Sequence, residues 1–590
     1  MWEYSAGNRP AVVAYVFLSV GANVFWALEP LVVGFVLNAV QTEGVSAATL
    51  PKLLGLLGIF LLLDVVAWAC HGPSRQREIK NAYRVKIAYK EHLLKGTMAL
   101  PLSWHTDHHS GDTIDKIEKG AGALSSFSEG TFQIIQALIL VVAGLGALFY
   151  FDRIAGIAVL VLLTPAFFLL SRFDRILVPG YKKVSLLENE SSERVFDALS
   201  NITTIIILRV NALVFGALDA AIAKPVPQVS KNALVNEWKW FTASVLGRFA
   251  AVVVLALYLI QSVSAGTILI GTLYILYGYV DRIRGVFFQF AYLYNDIVRY
   301  RALVSNAELL SSDFMLSDES ETANLPKEWK ELQVRGLSFA YPAALPADAD
   351  IEKHEKHSSG LKDVSLTIRH GERIALIGES GGGKSTFLKL LRDLYQPGTL
   401  ALSVDDARCK AGFSSIADSI SLIPQDPEIF STTVRENITL GVEYPESHLK
   451  VFTDLARFTE VVERLPRGME SSMVEKGVNL SGGEKQRLAL ARGLLASEGK
   501  DIVLLDEPTS SVDFGNELAI YENIFEAFPG KTIISSVHRL HLLPLFDSVY
   551  LFKRGAIVAS GSFDELRKAS PAFQTLWKRY MRSSEIAGAE

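Results

Sequence analysis

Six long apolar stretches before residue 300 constrain the fold of this 590-residue chain more than any other feature. A helix needs about 20 consecutive, mostly apolar residues to cross the hydrocarbon core of a bilayer. The stretches lie at 11–40, 50–71, 131–151, 154–174, 239–262 and 265–297. The sequence therefore predicts an α-helical transmembrane bundle of six spans. An alternative is that the last span ends early and that 281–300 is a helix in the cytoplasm.

The distribution of Lys and Arg predicts how these spans are oriented, because basic residues concentrate in cytoplasmic loops. Segment 73–98 carries seven of them, and segment 172–237 is also long and polar. The short linkers between the other spans hold a single basic residue, Arg153. Both termini and both long segments are therefore predicted to face the cytoplasm. Each long segment has the amphipathic character of a helical hairpin that can couple the bundle to an attached domain.

Charged side chains also occur inside the predicted spans, where they are costly unless they face a cavity or a partner. They are Glu29, Asp64, Arg248, Asp281, Arg282 and Arg284. Two interpretations stay open. One is a polar substrate cavity with a basic cytoplasmic mouth, which suits an anionic or amphipathic substrate. The other is a set of internal ion pairs and of side chains that extend to the interface.

Composition excludes several other classes of protein. A formal net charge of −5 gives no reason to expect a nucleic-acid partner. Two cysteines, Cys70 and Cys409, are too few for a disulfide framework or a cysteine metal cluster. The N-terminus has one basic residue before a long apolar run and no A-x-A-type cleavage site. It therefore predicts a retained first span rather than a signal peptide.

The second half of the chain contains short strands that alternate with helices, as in an open α/β sheet. An apolar run ending at Ile377 leads into a glycine-rich loop and then into a helix, which is the context of a phosphate-binding loop. The loop residues predicted to bind the phosphates are Gly378, Glu379, Ser380, Gly381, Gly382, Gly383, Lys384, Ser385 and Thr386. Lys384 is predicted to reach the β- and γ-phosphates, and the Ser385 hydroxyl to hold Mg²⁺.

An acidic motif further along the chain supports the same chemistry. Residues 502–507, Ile-Val-Leu-Leu-Asp-Glu, are predicted to form a strand that ends in Asp506. Beside a phosphate-binding loop, such a carboxylate can hold Mg²⁺ through water. The adjacent Glu507 is then placed to polarise the water that attacks the γ-phosphate. Together with the loop, the motif predicts ATP hydrolysis.

The string Leu-Ser-Gly-Gly-Glu-Lys-Gln-Arg at 480–487 resembles the signature motif of ATP-binding cassette (ABC) transporters, whose usual form is LSGGQ. Other motifs of that family match in order. Tyr341 resembles the aromatic residue that stacks on adenine, and Gln425 resembles the glutamine that contacts Mg²⁺. Asp513 lies in a stretch similar to the D-loop of the family. His538 resembles the switch histidine, which contacts the γ-phosphate in that family.

The resemblance covers the whole chain and implies an ABC exporter half-transporter, in which six spans precede one α/β P-loop nucleotide-binding domain. The implied domains are a transmembrane domain at 1–305 with two coupling hairpins, a linker at 306–327 and a nucleotide-binding domain at 328–590. The family also implies a homodimer with two ATP sites. In each site the phosphate loop of one subunit faces the signature residues of the other, which are Ser481, Gly482 and Gly483.

The resemblance implies ATP and Mg²⁺ as cofactors, with the metal held by Ser385, Gln425 and Asp506. It implies catalytic roles for Glu507, His538 and Lys384, and adenine stacking on Tyr341. The expected location is the bacterial inner (cell) membrane, with the nucleotide-binding domain in the cytoplasm. The expected partners are a second copy of the chain, membrane lipids and an unidentified substrate. A heterodimer, an uptake transporter of exporter fold, and an ATP-gated channel or regulator stay open as alternatives.

Two features depart from the family pattern, and a further segment matches it. Glu484 stands where the signature motif usually has glutamine, and this change leaves the predicted phosphate contact of Ser481 in place. Segment 342–360 is longer than the usual loop of the family, and its acidic, Pro- and Ala-containing composition predicts a mobile loop. Its role stays open between regulation and a neutral insertion. Residues 474–477 resemble the short loop that touches the coupling hairpins in exporters.

Overall fold

The computed structural model describes residues 1–108, 110–314, 323–341, 360–426, 428–473 and 480–587. Residues 342–359 of the predicted loop at 342–360, and the exporter-type loop at 474–477, therefore lie outside the described residues. The chain divides into two compact units. The first comprises Met1–Leu100 and His108–Met315, and the second comprises Pro101–Asp107 and Leu316–Glu590.

Helices make up most of the first 313 residues, after a 3₁₀ turn at Glu3–Asn8. They are α1 (Arg9–Ala27), α2 (Glu29–Glu43), α3 (Leu50–Met98), α4 (Leu102–Asp107), α5 (Ser110–Glu129), α6 (Thr131–Phe151), α7 (Arg153–Ser200), α8 (Ile202–Leu208), α9 (Asn211–Ala223), α10 (Val226–Ala265) and α11 (Ile270–Asp313). The short helix α4 belongs to the second unit. The partition at 1–305, 306–327 and 328–590 stays a prediction, and α11 continues past 305 to Asp313.

Among the described residues, five helical segments are long and apolar enough to cross a membrane. They are Glu3–Glu43, Leu50–Met98, Ser110–Phe151, Arg153–Ser200 and Asn211–Ser264. The sixth predicted span falls on α11, which is 44 residues long but carries Asp281, Arg282 and Arg284 within its apolar part. These three polar residues lower its mean hydropathy, although α11 packs against α2, α6 and α10. The helical transmembrane bundle of exporter type is confirmed.

The first predicted span is broken between α1 and α2. Pro30 has no N–H, so the main-chain oxygen of Trp26 loses its helical donor four residues on. Backbone polar groups inside a bilayer need a partner within the protein. Two side chains of α11 donate hydrogen bonds to main-chain oxygens at this break. Arg282 donates to the Trp26 oxygen at 2.6 Å, and the Tyr279 hydroxyl donates to the Ala27 oxygen at 2.8 Å.

The charged residues in the apolar part of α11 are paired within the first unit. Arg282 also forms an ion pair with Glu29 at 2.5 Å, and Arg284 pairs with Asp281 at 2.7 Å. For these four residues the structure favours internal ion pairs over a free charged cavity wall. Arg248 is exposed and lies 3.3 Å from the Tyr277 hydroxyl.

Two helical hairpins extend from the spans of the first unit. Helix α3 packs along α5, and α7 packs along α10. In chain order, the short helix α4 connects α3 to α5, and the shorter helices α8 and α9 connect α7 to α10. Their role in coupling stays a prediction.

The second unit is an α/β structure. Its strands are β1 (Glu331–Ala340), β2 (Gly360–Arg369), β3 (Arg373–Gly378), β4 (Thr399–Val404), β5 (Ala407–Arg408), β6 (Ile420–Ile423), β7 (Ile502–Asp506), β8 (Thr532–Ser536), β9 (Ser548–Lys553) and β10 (Ala556–Gly561). Its further helices are α12 (Lys384–Leu391), α13 (Val434–Thr439), α14 (Glu446–Leu455), α15 (Thr459–Arg464), α16 (Gly482–Ala496), α17 (Phe514–Ala527), α18 (Phe563–Ala569) and α19 (Pro571–Ala587).

The described strands form two sheets. An antiparallel sheet has the order β2-β1-β4-β5, and a six-stranded sheet has the order β10-β9-β3-β8-β7-β6. In the second sheet β3, β6, β7, β8 and β9 run parallel, and only β10 is antiparallel to its neighbour. Parallel strands have their carboxyl ends at one edge, where loops can converge on a ligand.

Alternation along the buried strands builds a core on each face of the six-stranded sheet. On β7, Val503 and Leu505 pack in one cluster with Leu488 and Ile520 of the helices α16 and α17. Leu504 of the same strand packs in the other cluster, which includes residues of the antiparallel sheet. Successive strand residues point to opposite faces, so five buried residues hold β7 rigidly between the two layers.

Candidate nucleotide-binding and hydrolysis site

The phosphate-binding loop connects β3 to α12 and depends on glycine at its turning points. Gly378, Gly381 and Gly383 have φ of +145°, +77° and +111°, which side-chain-bearing residues rarely adopt. A Cβ on Gly378 would lie 2.2 Å from the main-chain oxygen of Phe552 on β9. The loop therefore brings its backbone close to the sheet and ends at the N-terminus of α12, a geometry that favours phosphate.

Lys384, the first residue of α12, is 4% exposed. Its Nζ donates to the main-chain oxygen of Gly378 at 3.1 Å and lies 3.5 Å from that of Glu379. Burial lowers the pKa of the Lys384 ammonium, while the carboxylates of Glu507 and Asp506 act in the opposite direction. The side chain is thus folded back over the loop, where a phosphate could replace the two carbonyl partners.

Ser385 and Asp506 meet beside the loop. The Ser385 hydroxyl donates to Asp506 Oδ1 at 2.8 Å, and the Ser536 hydroxyl donates to the same oxygen at 2.8 Å. Asp506 is 4% exposed at the end of β7. A hydroxyl and a carboxylate in contact are hard oxygen ligands of the kind that Mg²⁺ prefers, so this pair fits the predicted metal.

Glu507 and His538 form a second pair at the same sheet edge. The ring nitrogen Nε2 of His538 lies 2.5 Å from Glu507 Oε1, and the Glu507 side chain is only 12% exposed. Glu507 has a left-handed backbone with φ of +48°, and its N–H donates to the Ser536 hydroxyl at 2.9 Å. A non-glycine residue in this conformation is held there by its surroundings, a situation common at functional sites.

Tyr341 follows β1 and lies next to the start of α12. Its hydroxyl is 3.4 Å from that of Thr386, and its ring packs edge-on against Phe339 and Tyr395 at centroid distances of 4.9 and 5.3 Å. The ring is half-buried. This aromatic group therefore lies beside the phosphate loop, and its predicted stacking on adenine stays a prediction.

The signature residues form the start of α16. The Ser481 hydroxyl accepts from the Glu484 N–H at 3.3 Å, and Glu484 accepts from the Ser481 N–H at 2.8 Å, which is a capping box. Glu484 also pairs with Arg464. Burial opposes ionisation of Glu484, but the Ser481 and Arg464 contacts outweigh it and lower the pKa of its carboxyl group. Glutamine can complete the same capping box, so what the carboxylate adds is the ion pair with Arg464 and a negative charge at the N-terminus of α16.

Asp513 lies next to the signature residues and caps α17. Its Oδ1 accepts from the Asn516 N–H at 3.0 Å and its Oδ2 from the Asn516 side chain at 2.7 Å; these bonds lower the pKa of its carboxyl group. An open pocket of about 430 Å³ is formed at this place. Its lining residues are Ser481, Gly482, Gly483, Glu484, Arg487, Ser511, Val512 and Asp513. Among the described residues that line it, none comes from the phosphate loop.

Gln486 is a site-organising residue that the sequence reading missed. It is 6% exposed on α16. Its amide N–H₂ donates to the Ser510 hydroxyl at 2.7 Å and to the main-chain oxygen of Gln425 at 3.3 Å, and its oxygen accepts from the Ser511 N–H at 2.8 Å. The side chain therefore joins three separate motifs. A polar residue on the same helix face as the buried Leu490 and Leu494 was the available signal.

The loop of Gln425 is thus fixed through its main chain, and its predicted contact with Mg²⁺ stays a prediction. In sum, one edge of the sheet brings together Lys384, Ser385, Asp506, Glu507 and His538. Ser481 and Asp513 line the separate pocket.

Comparison with known protein families matches most of the chain. Residues 12–281 match the model described as ABC transporter transmembrane region. Residues 361–510 match the model described as ABC transporter.

Individual relatives are more distant. An uncharacterized ABC transporter ATP-binding protein of Bacillus subtilis, YfiC, is 23% identical over 98% of this chain and 93% of its own length. A multidrug resistance ABC transporter ATP-binding and permease protein of Lactococcus lactis is 30% identical over 54% of this chain. This chain spans only 51% of that protein's length.

One solved structure, a bacterial Atm1-family ABC exporter with ATP bound, has a similar fold. Its TM-score is 0.82 at 20% sequence identity, and the match covers 97% of this chain and 99% of that one. At this level of identity the likeness concerns the fold alone.

Proposed function

This chain belongs to the ABC transporter family, and since it carries the transmembrane region and the ATP-binding domain together, we propose that it exports or flips an amphipathic or anionic substrate as a homodimer. It is a membrane protein and an ATPase coupled to transport. The observation that supports the hydrolytic mechanism best is the convergence of the Ser385–Asp506 and Glu507–His538 pairs at one sheet edge.

In the proposed reaction, each residue of this edge has one task. Lys384 leaves its carbonyl partners and offsets the charge on the β- and γ-phosphates. Glu507 orients the attacking water and accepts its proton, because it is the carboxylate next to the metal-binding Asp506. His538 contacts the γ-phosphate. Because its Nε2 lies 2.5 Å from Glu507 Oε1, this contact also affects the position of the Glu507 carboxylate.

The oxygens of Ser385 and Asp506 would hold Mg²⁺, with Gln425 as a further ligand. The ion would supply charge neutralisation between the β- and γ-phosphates. The existing Ser385–Asp506 hydrogen bond supports this assignment, because it shows that both oxygens already meet at one point.

The separation of two halves of the site supports a dimer in which each ATP site is shared between two subunits. The signature pocket contains Ser481 and Asp513 but no phosphate-loop residue among its described lining. In the proposed dimer, Ser481 and the glycine N–H groups after it complete the ATP site of the partner subunit. Closure of the two sites around ATP would turn the transmembrane bundle from inward to outward facing, and hydrolysis would reset it.

The substrate class rests on features of the first unit. A pocket of about 320 Å³ lies between α1, α2 and α6, with Tyr279 of α11 in its wall. Its lining is almost entirely apolar, while the Glu29–Arg282 pair lies at the adjacent helix break. An amphipathic molecule, with an apolar part and a polar group, suits this combination.

We place the protein in the bacterial inner (cell) membrane, with the ATP-binding domain in the cytoplasm.

ATP hydrolysis by the purified full chain in lipid nanodiscs tests this proposal. The assay would screen lipids, glutathione conjugates, peptides, glycans, and cationic and anionic drugs for stimulation. We expect basal turnover that one amphipathic or anionic class increases, and ATP-dependent movement of that class in sealed vesicles. Accumulation in the opposite direction would indicate an uptake transporter. ATP binding without hydrolysis under any condition would instead indicate an ATP-gated channel or a missing partner subunit.

A further inference from the structure

The loops that carry Glu507 and His538 leave two neighbouring parallel strands. Asp506 at the end of β7 pairs in register with Ser536 at the end of β8. The strands are buried and rigid, but the loops extend beyond them, where backbone freedom is greater. Something must therefore hold the two loops together if the 2.5 Å approach of Glu507 to His538 is to persist.

Glu517 of α17 joins these two loops directly. It is 4% exposed, and its Oε1 accepts a hydrogen bond from the Thr509 hydroxyl at 2.7 Å. Its Oε2 accepts from Arg539 Nη1 at 3.0 Å. Thr509 lies two residues after Glu507, and Arg539 directly follows His538. One buried carboxylate therefore binds the chain just downstream of both members of the pair.

The backbone of Glu507 shows why this contact matters. Its φ of +48° is unfavourable for a residue with a side chain and persists only under constraint. The Glu507 N–H is held by the Ser536 hydroxyl at 2.9 Å on the strand side. On the downstream side, the Thr509–Glu517 bond constrains the loop together with the bonds of Gln486 to Ser510 and Ser511. Without it, the loop can relax and move the Glu507 carboxylate away from the attacking water.

We propose that Glu517 is a positioning residue for ATP hydrolysis, which sets the geometry of Glu507 and His538 by tying together Thr509 and Arg539. This inference rests on the proposed roles of Glu507 and His538. It goes further in assigning a task to a side chain that touches neither ATP nor the attacking water. Because a displacement of about 1 Å can slow a reaction by about 100-fold, the expected effect lies on turnover rather than on ATP binding.

Steady-state ATP hydrolysis by full-length variants in nanodiscs tests the assignment. We expect Glu517→Gln, which cannot accept both hydrogen bonds as a carboxylate does, to lower kcat by about 10- to 100-fold. The KM for ATP, the affinity for a fluorescent ATP analogue and the melting temperature should stay close to those of the wild type. Glu522→Gln, on the exposed side of the same helix, is the matched control and should leave kcat unchanged.

A second pair of variants keeps the test independent of folding at position 517. Thr509→Val removes the hydroxyl that Glu517 accepts from and should lower kcat in the same way, whereas Thr509→Ser keeps the hydroxyl and should restore it. Adding Glu517→Gln to Glu507→Gln should lower kcat little further than Glu507→Gln alone, because both residues act on the same step.

Two results would overturn the assignment. One is turnover within twofold of the wild type in Glu517→Gln and Thr509→Val while Glu507→Gln is inactive. The other is a parallel loss of kcat, ATP affinity and melting temperature, which would show a merely structural role. Near-normal turnover by Glu507→Gln would contradict the proposed function itself, and is therefore a distinguishable failure.

Discussion

Asp393 illustrates at the scale of one residue how burial links stability to pH. It follows α12 in a left-handed turn with φ of +64°, and it accepts a hydrogen bond from the Ser414 hydroxyl at 2.6 Å. Burial raises the pKa of its carboxyl group, while the Ser414 hydrogen bond and Arg392 oppose the shift. The folded protein therefore binds more protons than the unfolded chain between the ordinary pKa of 3.8 and the raised value. Stability should fall as pH rises through that window.

Asp393→Asn removes this charge while keeping a side chain that tolerates the left-handed turn. We expect the full-length variant to melt about 1–2 °C higher than the wild type at pH 7, with a difference that shrinks as the pH approaches 4. Asp406→Asn is the matched control, since Asp406 has a φ of +65° but is exposed. A variant less stable than the wild type at every pH would show that the Ser414 bond outweighs the cost of burial.

Whether a site residue can be predicted from the sequence depends on how far away its partners lie along the chain. The loop at 378–386 and the acidic motif ending at Glu507 could be read locally, because each is a short string with a strand beside it. The tasks of Gln486 and Glu517 could not, since their partners belong to separate loops that only the folded sheet brings together. The sequence signal for both was a polar residue on the apolar face of a helix.

At the scale of helices, the close approach of α2 and α11 depends on two glycines. A Cβ on Gly271 would lie 1.8 Å from the main-chain oxygen of Gly34, and a Cβ on Gly34 would lie 2.3 Å from Ile275. Small residues allow membrane helices to pack at this distance, where dispersion contacts are strongest.

Gly271→Val should therefore force α2 and α11 apart and lower the thermal stability of the detergent-solubilised protein. Gly58→Val is the control, because a Cβ at that exposed position of α3 meets nothing within 4 Å. We expect a clear fall in the melting temperature for the first variant and a change within about 1 °C for the second. Equal melting temperatures would mean that α2 and α11 do not rely on this contact.

The break in the first span depends on contacts that the sequence does not reveal. Hydropathy predicts one continuous span at 11–40, and Pro30 alone does not show that Tyr279 and Arg282 donate to the main-chain oxygens at the break. Those donors lie more than 250 residues away in the chain. The same packing of distant segments pairs Glu29 with Arg282, whereas their positions in the sequence do not show whether they pair with each other or face a cavity.

At the scale of the whole molecule, the proposed homodimer predicts complementation between inactive subunits. Lys384→Ala disables the phosphate loop, and Ser481→Arg fills the signature pocket, so each variant alone should lack ATP hydrolysis. Each mixed dimer then contains one site in which the intact loop of one subunit meets the intact signature of the other. Co-expression on two differently tagged chains, followed by tandem purification, should restore part of the wild-type turnover.

A double variant carrying both changes on one chain is the control for this experiment. Paired with a wild-type chain, it leaves every composite site damaged and should stay inactive. Activity in this control, or its absence in the complementing pair, would argue against sites shared between two subunits.

The central claim, that Glu507 activates water for ATP hydrolysis that drives transport, is tested most directly by Glu507→Gln in nanodiscs. The amide keeps the size of the side chain but cannot accept the proton, so turnover should fall by at least about 100-fold. ATP binding should remain, and radiolabelled nucleotide recovered from the variant should be unhydrolysed ATP, whereas the wild type should yield ADP. Turnover close to that of the wild type would contradict the account.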